Sequence, residues 1–496
     1  MRIFLVLGVI GRLLRLFSVA FIPPIVLALI DREYGVCLHF GIAIVASVAV
    51  GTLLAAVSPI SPVFHRSEAM GVVAGTWLVV AAFGALPYVF AGLSYADSLF
   101  ESMSGFTTTG ATILKDFSVH GRAFYLWRAM SQWFGGLGVI ALFIVVLPRL
   151  GIAGRQLFFA EASGAGEAIS PQIRQNATRL WILYVTLTVL QIGLLMLADM
   201  GAYEAVVHSL TTLSAGGFSP NPESVAGYNN PAAEWVFVVF MILAGTSFTL
   251  QWKAFTSRPL CFLKDQEFLF YFGCTVVGAV GIALVLSEGS PDWDKLRAGA
   301  FQSASLISST GFASTDYNWW NDAARAILVA LMLVGGCAGS AAGGAKAIRH
   351  LLVAKFLGRQ ITQVLHPYSV LPLRYGQRTI PPAIMRAVFT LVVLFLINYL
   401  VVGLAVVTLG ADLVTGFSAS LACLGNIGPG FGGVGPMASY GDFPTATKLV
   451  LTTAMWIGRL EIVTVLALFH PHVLNNLQLR DRGRRVLGSR LAKLKG

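Results

Sequence analysis

Residues 104–114 read SGFTTTGATIL and stand between two long apolar stretches of the chain. Three threonines in a row followed by Gly110 make a poor continuation of a helix, because β-branched residues and glycine both rank low in helix propensity. The surroundings sharpen the problem. Of 496 residues, 56% are hydrophobic and only 11% are charged. Ten segments are apolar over the ~20 residues that a membrane-spanning helix needs. They are 10–30, 38–59, 70–92, 123–148, 180–199, 232–254, 268–287, 323–350, 384–409 and 446–470. The expectation is an all-α polytopic membrane protein. Residues 1–30 lack a small-residue cleavage site and run too long for a signal peptide, so they are read as a retained helix.

A net charge of +11 would suggest nucleic acid as a partner of a soluble protein. Here its distribution gives another explanation. With the N-terminus in the cytoplasm, an even number of spans returns the C-terminus to that side. About 26 of the 34 Lys and Arg, from Arg2 through Arg149, Arg258 and Arg374 to the tail RDRGRRVLGSRLAKLK, then fall on the cytoplasmic face. About 16 of the 23 acids fall outside, as the positive-inside rule allows without any nucleic acid. An acidic outer face also favours cations near a pore mouth. The five cysteines show no CxxC spacing and the eight histidines no HExxH, so no metal cluster is expected.

The opening stretch has relatives within the chain. Residues 209–219 read SLTTLSAGGFS, 303–313 read SASLISSTGFA, and 420–430 read SLACLGNIGPG. Each follows an apolar span and a short amphipathic segment, and each reaches a polar residue, one further residue and a glycine. The four cores are Thr108-Thr109-Gly110, Ser214-Ala215-Gly216, Ser309-Thr310-Gly311 and Asn426-Ile427-Gly428, with their glycines 106, 95 and 117 residues apart. The repeating unit is span, short helix, glycine loop, span. It divides the chain into an N-terminal helix pair (1–66), four repeats (67–150, 175–258, 265–360 and 380–475) and a basic cytoplasmic tail (476–496).

A segment of ten to fourteen residues cannot cross a bilayer, and irregular backbone at membrane depth survives only in a protein-lined or water-lined cavity. Four such loops meeting on one axis can replace the water shell of a cation with backbone carbonyls. Glycine serves this because it accepts φ values that other residues resist. The four short helices would aim their C-terminal dipole ends at the centre, about −0.5 charge each. No Asp or Glu lies in any core, so a weakly hydrated monovalent ion fits better than a divalent one. The expected architecture is four repeats of span, short helix, glycine loop and span around one pore, preceded by two N-terminal transmembrane helices.

With these residues on the page, the chain resembles the TrkH/KtrB/HKT superfamily of potassium transporters, and within it the bacterial TrkH group, over essentially its full length. The stretches that carry the resemblance are ESMSGFTTTGATIL, SQWFGGLGVIALFIVVLPRLG, GGCAGSAAGGAKAIR, NIGPGFG and GRLEIVTVLALF, in that order. It implies K⁺ uptake across the inner membrane, a multi-pass chain with both termini cytoplasmic, no bound cofactor, a homodimer, and control by a cytoplasmic nucleotide-binding subunit of TrkA type. Each unit is then a potassium-channel-like M1–P–M2 repeat of an all-α polytopic membrane protein, and the four cores form the K⁺ filter. Related plant proteins that carry Na⁺ have serine at the position of Gly110, which implies a preference for K⁺ here. Tetrameric potassium channels stack several carbonyl rings from TVGYG loops. One main glycine per core implies weaker discrimination and passage of rubidium as well.

Two further features have independent readings from the residues. LVGGCAGSAAGGAKAIRH, 333–350, places five glycines inside an apolar span, and at about 0.8–1 kcal/mol each relative to Ala such a helix should unwind, the alternative being a close helix-packing surface of small residues. By resemblance this is an intramembrane gating loop, comprising Gly335, Gly336, Gly339, Ser340, Gly343 and Gly344 with Lys346 at its cytoplasmic edge. TrkH sequences typically carry GSTGGG where residues 339–344 read GSAAGG. Arg459, in the last span, needs a cavity or a partner to offset a burial cost of at least about 2.5–3.5 kcal/mol. By resemblance it is a positive barrier below the filter, while Glu461, two positions on, points elsewhere.

Several readings compete. A less selective Na⁺/K⁺ transporter or a cation symporter would share the four loops, and a secondary solute transporter would show inverted repeats instead. An intramembrane enzyme would need clustered Asp, His or Ser–Lys pairs at one depth. GPGFGGVG contains G-x-G-x-x-G but has no strand–helix context, so any nucleotide belongs to the partner. Asn176-Ala177-Thr178 matches a glycosylation sequon on the expected cytoplasmic face.

Overall fold

The computed structural model describes residues 1–57, 65–141, 171–257, 259–287, 292–376 and 378–475. The last part of the expected first repeat, Arg149, Arg258 and the basic tail lie outside the described residues. The only strands among those described are two-residue pieces, β1 (Arg374–Tyr375) and β2 (Arg378–Thr379), paired antiparallel with Arg374 opposite Thr379.

The leading pair consists of a first span, α1 (Ile3–Phe17) and α2 (Ile22–Ile30) joined by a 3₁₀ turn, and a second, α3 (Tyr34–Ala56), packed back on it. The pair is pinned to α4 (Arg66–Gly84) by a fork from Arg2 to both carboxylate oxygens of the buried Glu68, at 2.8 and 2.9 Å. After α4, the short α5 (Leu86–Phe90) begins at a proline turn. The first unit continues with α6 (Tyr95–Phe106) and α7 (Arg122–Ala141). The second contains α8 (Pro171–Leu197), α9 (Ala202–Leu213), α10 (Pro231–Ala244) and α11 (Phe248–Thr256). The third contains α12 (Gln266–Leu286), α13 (Trp293–Ile307), α14 (Asp322–Val334) and α15 (Ala347–Leu365). The fourth contains α16 (Pro382–Thr408), α17 (Leu413–Leu424), α18 (Thr445–Arg459), α19 (Ile462–Leu468) and α20 (Pro471–Asn475).

The helices that follow each first span, α6, α9, α13 and α17, are 12, 12, 15 and 12 residues long. At 1.5 Å per residue they fall well short of a ~30 Å bilayer core. Their starts are set locally: Ser94, Asp292 and Asp412 each accept a first-turn N–H, satisfying a donor that would otherwise be orphaned. Their packing is cyclic. Each short helix lies against a second-span helix of the preceding unit: α9 on α7, α13 on α10, α17 on α14, and α6 on α18, which closes the circle. An aromatic cluster of Phe17, Phe21, Phe106 and Trp127, with ring centroids 4.5–6.1 Å apart, ties the leading pair to the end of α6.

The ten expected spans are not all present as single helices. Among the described residues six helical segments are long and apolar enough to cross a membrane, or eight when each bent pair counts as one. The expected continuous span 232–254 breaks between α10 and α11 with a turn of 104°, and 446–470 breaks between α18 and α19 with a turn of 109°. Only the break within 323–350 was expected. There α14 stops at Gly335, whose φ of 71° no helix accommodates. In the fourth unit the break falls at Glu461, held at φ 62° while its carboxylate takes a 2.6 Å hydrogen bond from Arg349.

Candidate functional site

All four short helices end in one backbone pattern. Their C-caps are Thr107, Ser214, Ser308 and Gly425. The next residues, Thr108, Ala215, Ser309 and Asn426, all sit at φ of 50–57°, a left-handed conformation costing of order 1–2 kcal/mol for a non-glycine. One residue on, the amides of Thr109, Gly216, Thr310 and Ile427 bond to carbonyls five residues back, at 2.8–2.9 Å. The following glycines, Gly110, Gly217, Gly311 and Gly428, have φ of 75–101°.

This corrects the register of the second core. Its structural counterpart to the other three is Ala215-Gly216-Gly217, and Ser214 is the cap of α9. The doublet Gly216-Gly217 offered two alignments, and only backbone geometry distinguishes them.

The loops interlock in sequence order. A β-carbon on Gly110 would lie 2.1 Å from the Gly216 carbonyl oxygen, and one on Gly217 would lie 1.9 Å from that of Thr310. One on Gly311 would lie 2.0 Å from the Ile427 oxygen, and one on Gly428 would lie 2.6 Å from that of Thr109. Each glycine is therefore required by the approach of the next loop, and the fourth loop returns to the first. The ring is closed.

A cavity of about 350 Å³ lies on one side, lined by these four glycines and by Thr112, Tyr440 and other residues of the connecting loops. Its lining charges are paired: Lys115 with Asp442, and the buried Arg128 with Glu101 at 2.7 Å. Arg128 also donates to the Ser219 carbonyl at 3.0 Å and stacks over Phe218 at 4.0 Å, while Glu101 accepts the Ile113 amide at 3.0 Å. The pair thus braces the chain beyond the first two loops. Gln132 donates to the Gly216 carbonyl at 2.7 Å and accepts the Phe218 amide at 3.1 Å, and Tyr440 donates to the Gly428 carbonyl at 2.8 Å. Sequence reasoning missed these braces. The available signal was a single polar residue, such as Arg128 or Gln132, inside an otherwise apolar span.

On the other side lies a cavity of about 40 Å³, lined by Asn426, Gly343, Gly344, Lys346, Arg459 and Glu461 among others. The glycine-rich stretch between α14 and α15 fills this side: Gly335, Gly336, Gly339, Ser340 and Gly343 are buried and non-helical, Gly344 is partly exposed, and Lys346 is buried at the entry to α15. Its backbone is held by the neighbouring unit's break. Cys337 N–H donates to the Gly245 carbonyl at 2.8 Å, and the Gly339 carbonyl accepts Phe248 N–H at 3.0 Å. Glu267 accepts the Ala338 amide at 2.6 Å. Lys346 donates to the Ala342 carbonyl. Arg459, 6% exposed, donates from Nη1 to the Ala341 carbonyl at 2.9 Å, while its Nε and Nη2 have no hydrogen-bond partner among the described residues. Glu461 points away from Arg459 to Arg349, as expected.

Four loops closed on one another inside a bundle of apolar helices define a polytopic helical membrane protein. The chain belongs to the TrkH family of cation transport proteins, whose model matches residues 38–473. It is 33% identical to the Trk system potassium uptake protein TrkH of Halomonas elongata, across 95% of this chain and 99% of that one. It is also 33% identical to the TrkH of Escherichia coli K12, across 93% and 97%. The crystal structure of the potassium transporter TrkH from Vibrio parahaemolyticus superposes with a TM-score of 0.87 at 31% identity, covering 95% of this chain and all of that one.

Proposed function

We propose that this chain takes up K⁺ across the bacterial inner membrane through the axis of the loop ring. The closed ring carries the reading, and the relatives named as potassium uptake proteins support it. The filter comprises Thr108, Thr109 and Gly110; Ala215, Gly216 and Gly217; Ser309, Thr310 and Gly311; and Asn426, Ile427 and Gly428. Backbone carbonyls and hydroxyls supply the oxygen ligands, and the C-terminal ends of four short helices supply about −2 of charge before screening. A wide outer cavity with paired lining charges leaves the attraction to the backbone.

The four units act as M1–P–M2 modules, with repeats at 67–150, 175–258, 265–360 and 380–475. The stretch from Gly335 to Lys346 is the gate, and Arg459 is a positive barrier beneath the filter. Both termini lie in the cytoplasm, two copies form a homodimer, and a nucleotide-binding subunit of TrkA type moves the gate. Rubidium uptake into proteoliposomes holding the purified chain, with and without that subunit and under Na⁺ competition, tests the reading. Uptake that Na⁺ competes poorly and the subunit modulates is expected. Folded protein that passes no Rb⁺ in either condition refutes it.

A further inference from the structure

The four left-handed positions at the inner end of the ring share a backbone conformation but differ in side chain: Thr108, Ala215, Ser309 and Asn426. Their connections differ too. The Thr108 hydroxyl has no hydrogen-bond partner among the described residues, and Ala215 has no polar side chain. The Ser309 hydroxyl accepts the backbone N–H of Gly343 at 2.6 Å, with both residues buried. Asn426 donates from Nδ2 to the Thr109 hydroxyl and to the Met455 carbonyl, each at 3.0 Å. Met455 lies one helical turn before Arg459 on α18. Gly343 is also pressed against the fourth loop, since a β-carbon there would lie 2.2 Å from the Gly425 carbonyl oxygen and 2.9 Å from the Asn426 Cβ.

Two of the four loops are therefore tied by side chains to the two elements that close the inner side, and two are not. We infer that Ser309 is a specificity-determining positioning residue, whose hydrogen bond to Gly343 couples the conformation of the third filter loop to the position of the stretch 335–346. The inference rests on the filter and gate roles proposed above. Moving that stretch away from the axis requires breaking the bond. A buried donor and acceptor left unpaired cost more than the bond gains, so the released third loop adjusts. Its Thr310 carbonyl lies against Gly217, and the adjustment passes to the second loop through that contact. Closed and open gates then present different filters, and ion preference follows gate state.

The test compares Ser309→Gly, Ser309→Ala and Ser309→Thr in the full chain. Glycine removes the hydroxyl and also suits φ 57°, so folding is not at risk. Threonine keeps the hydroxyl, and the molecule already holds a threonine in this conformation at Thr108. Rb⁺ uptake without the cytoplasmic subunit should rise about fivefold in the Gly and Ala variants, the population shift that one net hydrogen bond carries. Na⁺ should compete more effectively in both, and Ser309→Thr, which keeps the hydroxyl, should change uptake less than either. Backbone amide exchange over 335–346, read on the same proteins, should quicken in the Gly and Ala variants only. This second readout does not depend on flux. A parent chain that passes no Rb⁺ while exchange changes as expected refutes the conduction reading and leaves the bond's role intact. Parental uptake, Na⁺ competition and exchange in Ser309→Gly overturn the inference, and so does a threonine variant that behaves like the glycine one.

Discussion

The cavity on one side of the ring measures about 350 Å³ and touches all four loops, whereas the one on the other measures about 40 Å³ and touches the ring only at Asn426. The outer wall is made of loop backbone, with its charges paired and its braces running to Arg128, Gln132 and Tyr440. The inner wall is made of broken helices, and it holds a buried arginine with two unbonded nitrogens. The outer half is organised to stay in place. The inner half is held by hydrogen bonds of its own backbone to the Gly245 carbonyl, the Phe248 amide, the Glu267 carboxylate and the Ser309 hydroxyl, each worth only about 0.5–3 kcal/mol net and exchangeable. On the roles proposed for them, fixed geometry for selection and exchangeable contacts for closure are separated by the thickness of one ring.

The largest effect should come from the outer half. Glu101→Ala leaves Arg128 buried without its counter-ion, at a cost of roughly 3–5 kcal/mol. The expected outcome is a large drop in thermal midpoint in detergent and little recoverable folded protein. A variant as stable as the parent would show that the brace is not structural. Next comes the register. Gly217→Ala must displace the Thr310 carbonyl, whereas Gly216→Ala meets the amide end of Gln132, a side chain that can move. Overpacking against backbone costs about 1–3 kcal/mol, so Rb⁺ uptake should fall tenfold or more for Gly217→Ala and less for Gly216→Ala. The reverse order would restore Ser214-Ala215-Gly216 as the second core. Gly110→Ser tests the same ring, because its side chain must displace the Gly216 carbonyl and the K⁺ over Na⁺ preference should fall.

On the inner side, Arg459→Ala should raise uptake without the cytoplasmic subunit by roughly tenfold, with protein yield near that of the parent. That is the effect of removing ~1–2 kcal/mol of repulsion between like charges several ångströms apart at intermediate dielectric. Unchanged flux in folded protein would remove the barrier role. The smallest change is expected for Arg349→Gln. It releases Glu461 from a pair whose side chains are 15% and 20% exposed, and it should alter uptake by no more than about threefold. An effect as large as that of Arg459→Ala would move the closure from Arg459 to the break between α18 and α19.

The four short helices and their loops were legible because a polar residue, a spacer and a glycine recur after each apolar span, and because Ser94, Asp292 and Asp412 mark helix starts. The break at 335–346 was legible because glycine accumulates there. The breaks at Gly245 and Glu461 were not, since a single glycine or a Leu-Glu step does not by itself overcome the helix propensity of its neighbours. Those helices stop because the stretch at 335–346 and Arg349 hold their ends.

Composition and repetition alone determined a helical membrane chain with four short helices that each run into a glycine loop, because apolar length and missing helix propensity are local properties. Which glycine of a doublet enters the ring, which two further spans break and which hydroxyl meets the inner loop were decided only by the tertiary structure. Each depends on a group from a segment distant in sequence: the Thr310 carbonyl, the Gly339 carbonyl or the Gly343 amide, which are the same groups in every residue, or at Glu461 the Arg349 side chain.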